Sequence, residues 1–175
     1  MKNDHSPLKV VSNSSPLINL AIIEQFHLLE KFFSDIWIPD AVWKECVIDG
    51  KNKPGMKTIE ESKLLKRKQP SNDSLIQLLK YELDIGESET IALAIEMQAD
   101  LVLLDERDAR KIASIYELNT TGVTGILLRA KNERYIISVK EYLDRLKKDA
   151  GFWLDEFFYH RILELANEID STDSG

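Results

Sequence analysis

An apolar run that stops abruptly on carboxylates is the stretch of this chain best suited to chemistry. Leu101-Val102-Leu103-Leu104 shows no polar alternation, as suits a parallel strand covered on both faces, and Asp105 follows at once. In open α/β sheets ligands bind just beyond the carboxyl ends of the strands, which is where Asp105 and Asp108 stand. Asn13 ends an earlier strand candidate, Lys9 to Ser12, in the same way. Glu45 falls beside the apolar stripe of Val42, Trp43, Cys46 and Val47 on a helix opened by Pro39. Buried there alone, a carboxylate costs on the order of several kcal/mol, so it either turns outward or pairs with a side-chain or metal cation. Glu87 and Glu89 lie in the first turn of a helix whose next residues, Ile91 to Ile95, are all apolar.

In a single sheet the first and central strands are commonly neighbours, and Asn13, Glu45, Glu87 and Asp105 then converge on one crevice. Oxygen-only side chains of this kind suit Mg2+ or Mn2+. Such an ion activates water for attack on a phosphodiester, and without a cation the acids repel each other and their substrate. Each acid also has a purely structural reading. Asp105 can cap the helix that follows it, Asp108 can sit in that helix's first turn, and Asp84 with Glu87 matches a capping box.

Other chemistries are excluded or weak. His5, His27 and His160 are scattered without metal-ligand spacing, and Cys46 is the only cysteine, so neither an intrachain disulfide nor a thiolate-rich zinc site is available. No glycine-rich nucleotide fingerprint and no Gly-x-Ser-x-Gly elbow is present. A phosphate-ester hydrolase with an aspartyl nucleophile lacks its second acid after a first-strand aspartate. The net charge of −7 argues against coating nucleic acid with the whole surface. The basic cluster Lys63 to Lys68 reads as a solvated helix face or a phosphate contact.

The elements that position these residues alternate. Strand candidates at 9–12, 36–38, 101–104 and 119–123 are separated by amphipathic helices. These include a helix capped by Ser15 with Pro16 first, one from Pro39 to about Ile48, a moderate one from Ile59 to Lys68, and one from Ser74 to Leu83. Further helices follow at 107–116, 124–134, 138–149 and 155–169. The pattern predicts an α/β fold with a small, mostly parallel sheet and helical layers on both sides, as one domain over 9–169. Residues 1–8 are expected to be extended or disordered and 170–175 frayed. The polar start and the lack of any long apolar run predict a soluble, cytoplasmic protein with no membrane contact. Phe152, Trp153, Phe157, Phe158 and Tyr159 crowd the C-terminal region and are expected to pack its last helix onto the domain or to form a homodimer.

Four stretches carry a family resemblance: Val11-Ser12-Asn13-Ser14-Ser15-Pro16-Leu17-Ile18; Ile38-Pro39 leading to Glu45; Gly86-Glu87-Ser88-Glu89-Thr90-Ile91-Ala92-Leu93-Ala94; and Leu103-Leu104-Asp105 leading to Arg110. In order and spacing they resemble the PIN-domain family, and within it the bacterial and archaeal branch of uncharacterised nucleic-acid-binding proteins. The resemblance runs from about Lys9 to Glu168. It implies a three-layer α/β/α sandwich, Mg2+- or Mn2+-dependent endoribonuclease activity on an RNA substrate, and the toxin-like role in a toxin-antitoxin pair, with an antitoxin protein as partner. It places the four acid positions on Asn13, Glu45, Glu87 and Asp105, the last three as metal ligands, with Glu89 and Asp108 as further candidates. The family has aspartate where this chain has Asn13, whose amide oxygen can ligate a metal but brings no charge and cannot act as a base. That departure keeps open an alternative, a catalytically weakened module that binds RNA or a partner protein without cutting.

Overall fold

The computed structural model describes residues 7–169; the expectations for residues 1–6 and 170–175 lie outside the described residues. Five short strands form one all-parallel sheet in the order β3-β2-β1-β4-β5, where β1 is Val10–Ser12, β2 Ile36–Ile38, β3 Leu65–Arg67, β4 Leu101–Leu103 and β5 Thr120–Thr121. The chain winds outward from β1 to β3 in one direction, then crosses back to place β4 on the other side of β1. The strand order therefore reverses between β1 and β4. At such a switch point the connections leave the two strand ends in opposite directions and open a crevice.

Strand alternation sorts the core into two layers. Val10, Ile36, Ile38 and Leu103 point to one face, under helices α1 (Ser14–Ile22), α2 (His27–Phe32), α8 (Val123–Asn132), α9 (Val139–Asp149) and α10 (Glu156–Leu165). Val11, Val102 and Leu104 point to the other face, under α5 (Asp73–Leu79), α6 (Ile85–Met97) and α7 (Arg107–Ile115). Both faces of β1 and β4 are thus dry, as the unalternating apolar run at 101–104 requires. The result is the expected α/β/α sandwich. Helix α3 (Asp40–Trp43) runs on as a π-helical turn, Lys44–Ile48, and α4 (Met56–Glu60) follows it. No helix among the described residues is long and apolar enough to cross a membrane.

Several boundaries differ from the expected ones. The helix expected from Ile59 to Lys68 ends at Glu60, and the basic cluster forms the edge strand β3 instead. A lysine-rich edge discourages pairing with another chain, and β3 gains its ladder bonds from β2. Helix α1 begins at Ser14 with Asn13 as its N-cap residue, so Ser15 is not the cap and Pro16 sits third, still in the turn whose amides need no intrahelical partner. Helix α5 stops at Leu79, four residues short, and turns before Asp84. At the C-terminal end Tyr159 is buried and donates a hydrogen bond to Asp144 (2.6 Å), whereas Trp153 and Phe157 lie on the surface.

Candidate active site

The acids gather at the switch point. Asn13 leaves the end of β1, its N–H donating to the Leu103 carbonyl of β4 (3.0 Å), so the first and fourth strand ends are locked side by side. Helix α6 begins opposite them. Asp84 accepts the Glu87 N–H (2.8 Å) while Glu87 Oε2 accepts the Asp84 N–H (3.1 Å), the reciprocal capping box read from the sequence. Gly86 lies inside this turn, and what surrounds it defines the crevice. A methyl carbon placed on Gly86 would stand 3.3 Å from Asn13 Oδ1, 3.4 Å from Asp84 Oδ1 and 3.6 Å from Glu45 Oε2. Three side-chain oxygens from three elements therefore converge on one point.

Glu45 reaches this point from the π-helical turn after Trp43 and is exposed rather than buried. The expected tension with its apolar stripe is resolved by pointing over Gly86, and π-helical turns of this kind recur at functional sites. Asn13 is 3% exposed and its Oδ1 has no hydrogen-bond partner. An unpaired buried amide oxygen costs about 1–3 kcal/mol.

Glu106 is the residue the sequence reading missed. Its Oε1 accepts a hydrogen bond from the Ser15 hydroxyl, and its Oε2 is buried without a partner. Burial pushes the Glu87 carboxyl up to about 7, helped by the charges of Asp84, Glu106 and Asp108 and opposed by the backbone hydrogen bond at Asp84. Asp84, Glu106 and Asp108 thus lie close enough to Glu87 for their charges to act on it. The signal for Glu106 was its position, the second of two consecutive acids at a strand end.

Asp105 does not take the helix-capping position that was its structural alternative. Glu106, not Asp105, is the N-cap residue of α7, and it makes no side-chain cap bond. The Asp105 carboxylate instead crosses to α8, accepting the Val123 N–H (2.7 Å) and the Asn19 side-chain amide (3.1 Å). Gly122 makes room for this, since a Cβ there would overlap Asp105 Oδ1 and lie 3.0 Å from the Leu104 carbonyl oxygen. Burial pushes Asp105 up to about 6; the two hydrogen bonds and Arg110 oppose the rise, and Glu106 adds to it.

Of the two further candidates, Glu89 is buried and accepts the Ala41 N–H (3.2 Å), so it fastens α6 to the first turn of α3 and thereby fixes the helix that carries Glu45. Asp108 is exposed in the first turn of α7, close enough for its charge to raise Glu87. Among the described residues no set of three or more His, Cys, Asp or Glu side chains closes into a ready-made metal cage. The donors nonetheless fit a hard cation. They are all oxygens, two of them are buried acceptors without partners, and the charges of Asp84, Glu106 and Asp108 add to the burial that raises Glu87.

A family model described as a PIN domain matches residues 9–168, nearly the whole chain. No curated protein matches the sequence.

Proposed function

This chain belongs to the PIN-domain family, which is generally nucleolytic and dependent on divalent metal, and on that footing we propose that it is a metal-dependent endoribonuclease. The observation that supports this reading most strongly is the meeting of Asn13, Asp84 and Glu45 oxygens over Gly86, next to a Glu87 made reluctant to ionise by burial and, to a smaller extent, by its acidic neighbours. Glu45, Glu87 and Asp105 are the proposed metal ligands, joined by the amide oxygen of Asn13 and the free carboxylate oxygen of Glu106. When bound, Mg2+ or Mn2+ supplies the positive charge that activates water and stabilises the departing oxygen.

The chain's own residues do the rest. The cap of α6 holds Glu87 and Asp84 in one geometry, and Glu89 holds α3 so that Glu45 faces them. Burial holds the Glu87 carboxyl up at about 7 in the metal-free protein, so a cation taken up there would displace its proton. Asn13 orients by hydrogen bonding and by its lone pairs, without adding charge.

The proposal extends to a toxin-like role. The unpaired oxygens of Asn13 and Glu106 are acceptors that an antitoxin's arginine could satisfy in place of a cation, forming charge-assisted hydrogen bonds. A second reading, RNA binding without cleavage, is favoured by one observation, the uncharged amide at Asn13. Titration of Mn2+ into the protein by calorimetry tests the shared premise. Saturable binding that Glu45→Gln weakens supports the site, and binding indifferent to Glu45→Gln and Glu87→Gln removes it.

A further inference from the structure

Ser15 and Glu106 form a pair that the four expected acid positions do not include. The Ser15 hydroxyl donates to Glu106 Oε1, which ties the first turn of α1 to the residue that opens α7. The main chain holds the same two ends together, since the Asn13 N–H donates to the Leu103 carbonyl (3.0 Å). Asn13 and Glu106 are thus the N-cap residues of two neighbouring helices, and neither side chain makes the usual bond to its own first turn. Each keeps one buried oxygen without a hydrogen-bond partner, Oδ1 of Asn13 and Oε2 of Glu106. Asn13 Oδ1 is among the oxygens that surround Gly86, so it is directed into the crevice. With Oε1 taken by Ser15, Glu106 has Oε2 left to offer a cation.

Resting on the reading of this crevice as a metal site, we propose that Glu106, held in place by Ser15, carries the negative charge that position 13 lacks. The amide at Asn13 then relocates the charge of the site instead of weakening it, and Ser15 is a positioning residue. A carboxylate suits position 106, because the unpaired amides at the starts of α7 and α1 favour negative charge there. An amide suits position 13, which is 3% exposed: a carboxylate buried there, joined through Ser15 to the turn that meets Glu106, would add a like charge without a counter-ion. Among the described residues no lysine or arginine forms an ion pair with Glu45, Asp84, Glu87 or Glu106, so their charge is left for a cation from solution. A Glu106 carboxylate already fixed at one oxygen also loses less freedom when an ion binds the other.

The test is calorimetric titration of Mn2+ into the full chain, paired with urea denaturation in EDTA. The variants are Ser15→Ala, Ser15→Thr, Glu106→Gln and the exchange that combines Asn13→Asp with Glu106→Gln. Glu106→Gln and Ser15→Ala are each expected to weaken Mn2+ binding about 10- to 100-fold, whereas Ser15→Thr, which keeps the hydroxyl, should bind as the parent does. Glu106→Gln removes a half-buried charge, so its urea midpoint in EDTA should hold or rise while its affinity falls. A merely structural carboxylate would lower both. The exchange should regain most of the parent's affinity, because it returns the carboxylate to position 13. Mn2+ binding that Glu45→Gln weakens but Glu106→Gln and Ser15→Ala leave unchanged overturns the proposal and leaves the metal site, and so the nuclease reading, standing. An exchange variant that folds and stays as weak as Glu106→Gln overturns it as well, and a midpoint that falls in Glu106→Gln then makes Glu106 a strut between α1 and α7. A parent protein that binds no Mn2+ overturns both readings.

Discussion

Replacing Gly86 by alanine separates what the crevice does for folding from what it does for binding. Gly86 is the second residue of α6 and its backbone is helical, so a methyl group there reduces the freedom of the unfolded chain without backbone strain. The gain in a helix interior is up to about 1 kcal/mol. At the first turn, with the methyl 3.3 Å from Asn13 Oδ1 and 3.4 Å from Asp84 Oδ1, those neighbours must yield by a few tenths of an ångström, which leaves a net gain of about 0.5 kcal/mol. For a chain of this size that corresponds to a rise in Tm of roughly 1–2 °C. The same methyl intrudes beside two of the oxygens proposed to face the cation, those of Asn13 and Glu45, where Mg2+ needs ligands at about 2.1 Å and has little tolerance for distortion. Affinity for Mn2+ is expected to fall on the order of 10- to 100-fold, the size usual when the surroundings of a metal site are disturbed. Urea denaturation in EDTA and Mn2+ calorimetry measure the two effects side by side. A variant that is slightly more stable and binds metal normally would refute the reasoning, because the oxygens around Gly86 would then not face the ion.

The remaining predictions concern charge and attachment. Glu87 and Asp105 both favour their protonated forms in the metal-free protein, so the stability they contribute is full below their ordinary values near 4 and is lost as pH rises through about 6 and 7. After solvent screening, metal-free stability should drop by roughly 2 kcal/mol between pH 5 and pH 8, and saturating Mn2+ should reverse the slope; a flat profile in EDTA would count against a crowded acid cluster. Asn13→Asp adds a charge to that cluster, so it should tighten Mn2+ binding and destabilise the metal-free protein by about 1 kcal/mol, and calorimetry showing unchanged affinity would mean that Asn13 does not face the ion. Glu89→Ala frees the Ala41 amide, with an expected cost of about 1 kcal/mol and weaker Mn2+ binding through Glu45; an unchanged urea midpoint would show that the bond to α3 is idle.

The sequence made β1, β2 and β4 legible because each is an apolar run closed by a turn or a polar residue, and the buried α6 was equally plain from Ile91 to Ile95. Strand β3 was hidden because its outward residues are lysine and arginine, which on an edge serve solubility and in a sequence window look like a helix surface. Asn13 was found from its place at a strand end, Glu45 from its angle beside an apolar stripe and the Asp84–Glu87 pair from its capping spacing, and the structure brings oxygens of Asn13, Asp84 and Glu45 to one point. Glu106 was masked by Asp105 beside it: the sequence assigns the cap of α7 to the first acid, while the chain gives that position to the second. The bond from Asp105 to Val123 joins residues 18 apart and depends on the bare backbone of Gly122, so no local pattern announces it. Glu89 looked like its neighbour Glu87, yet two residues along a helix turn it to another side, toward α3.

The most direct test of the central claim is cleavage of end-labelled RNA by the purified chain in Mn2+ or Mg2+, with EDTA and Glu87→Gln as controls. Fragments that form with either ion and vanish in both controls are the expected result, and they would show that the acids around Gly86 cut RNA with an amide at position 13. Fragments that persist in EDTA or with Glu87→Gln would contradict the account, as would intact RNA at metal concentrations that saturate the site.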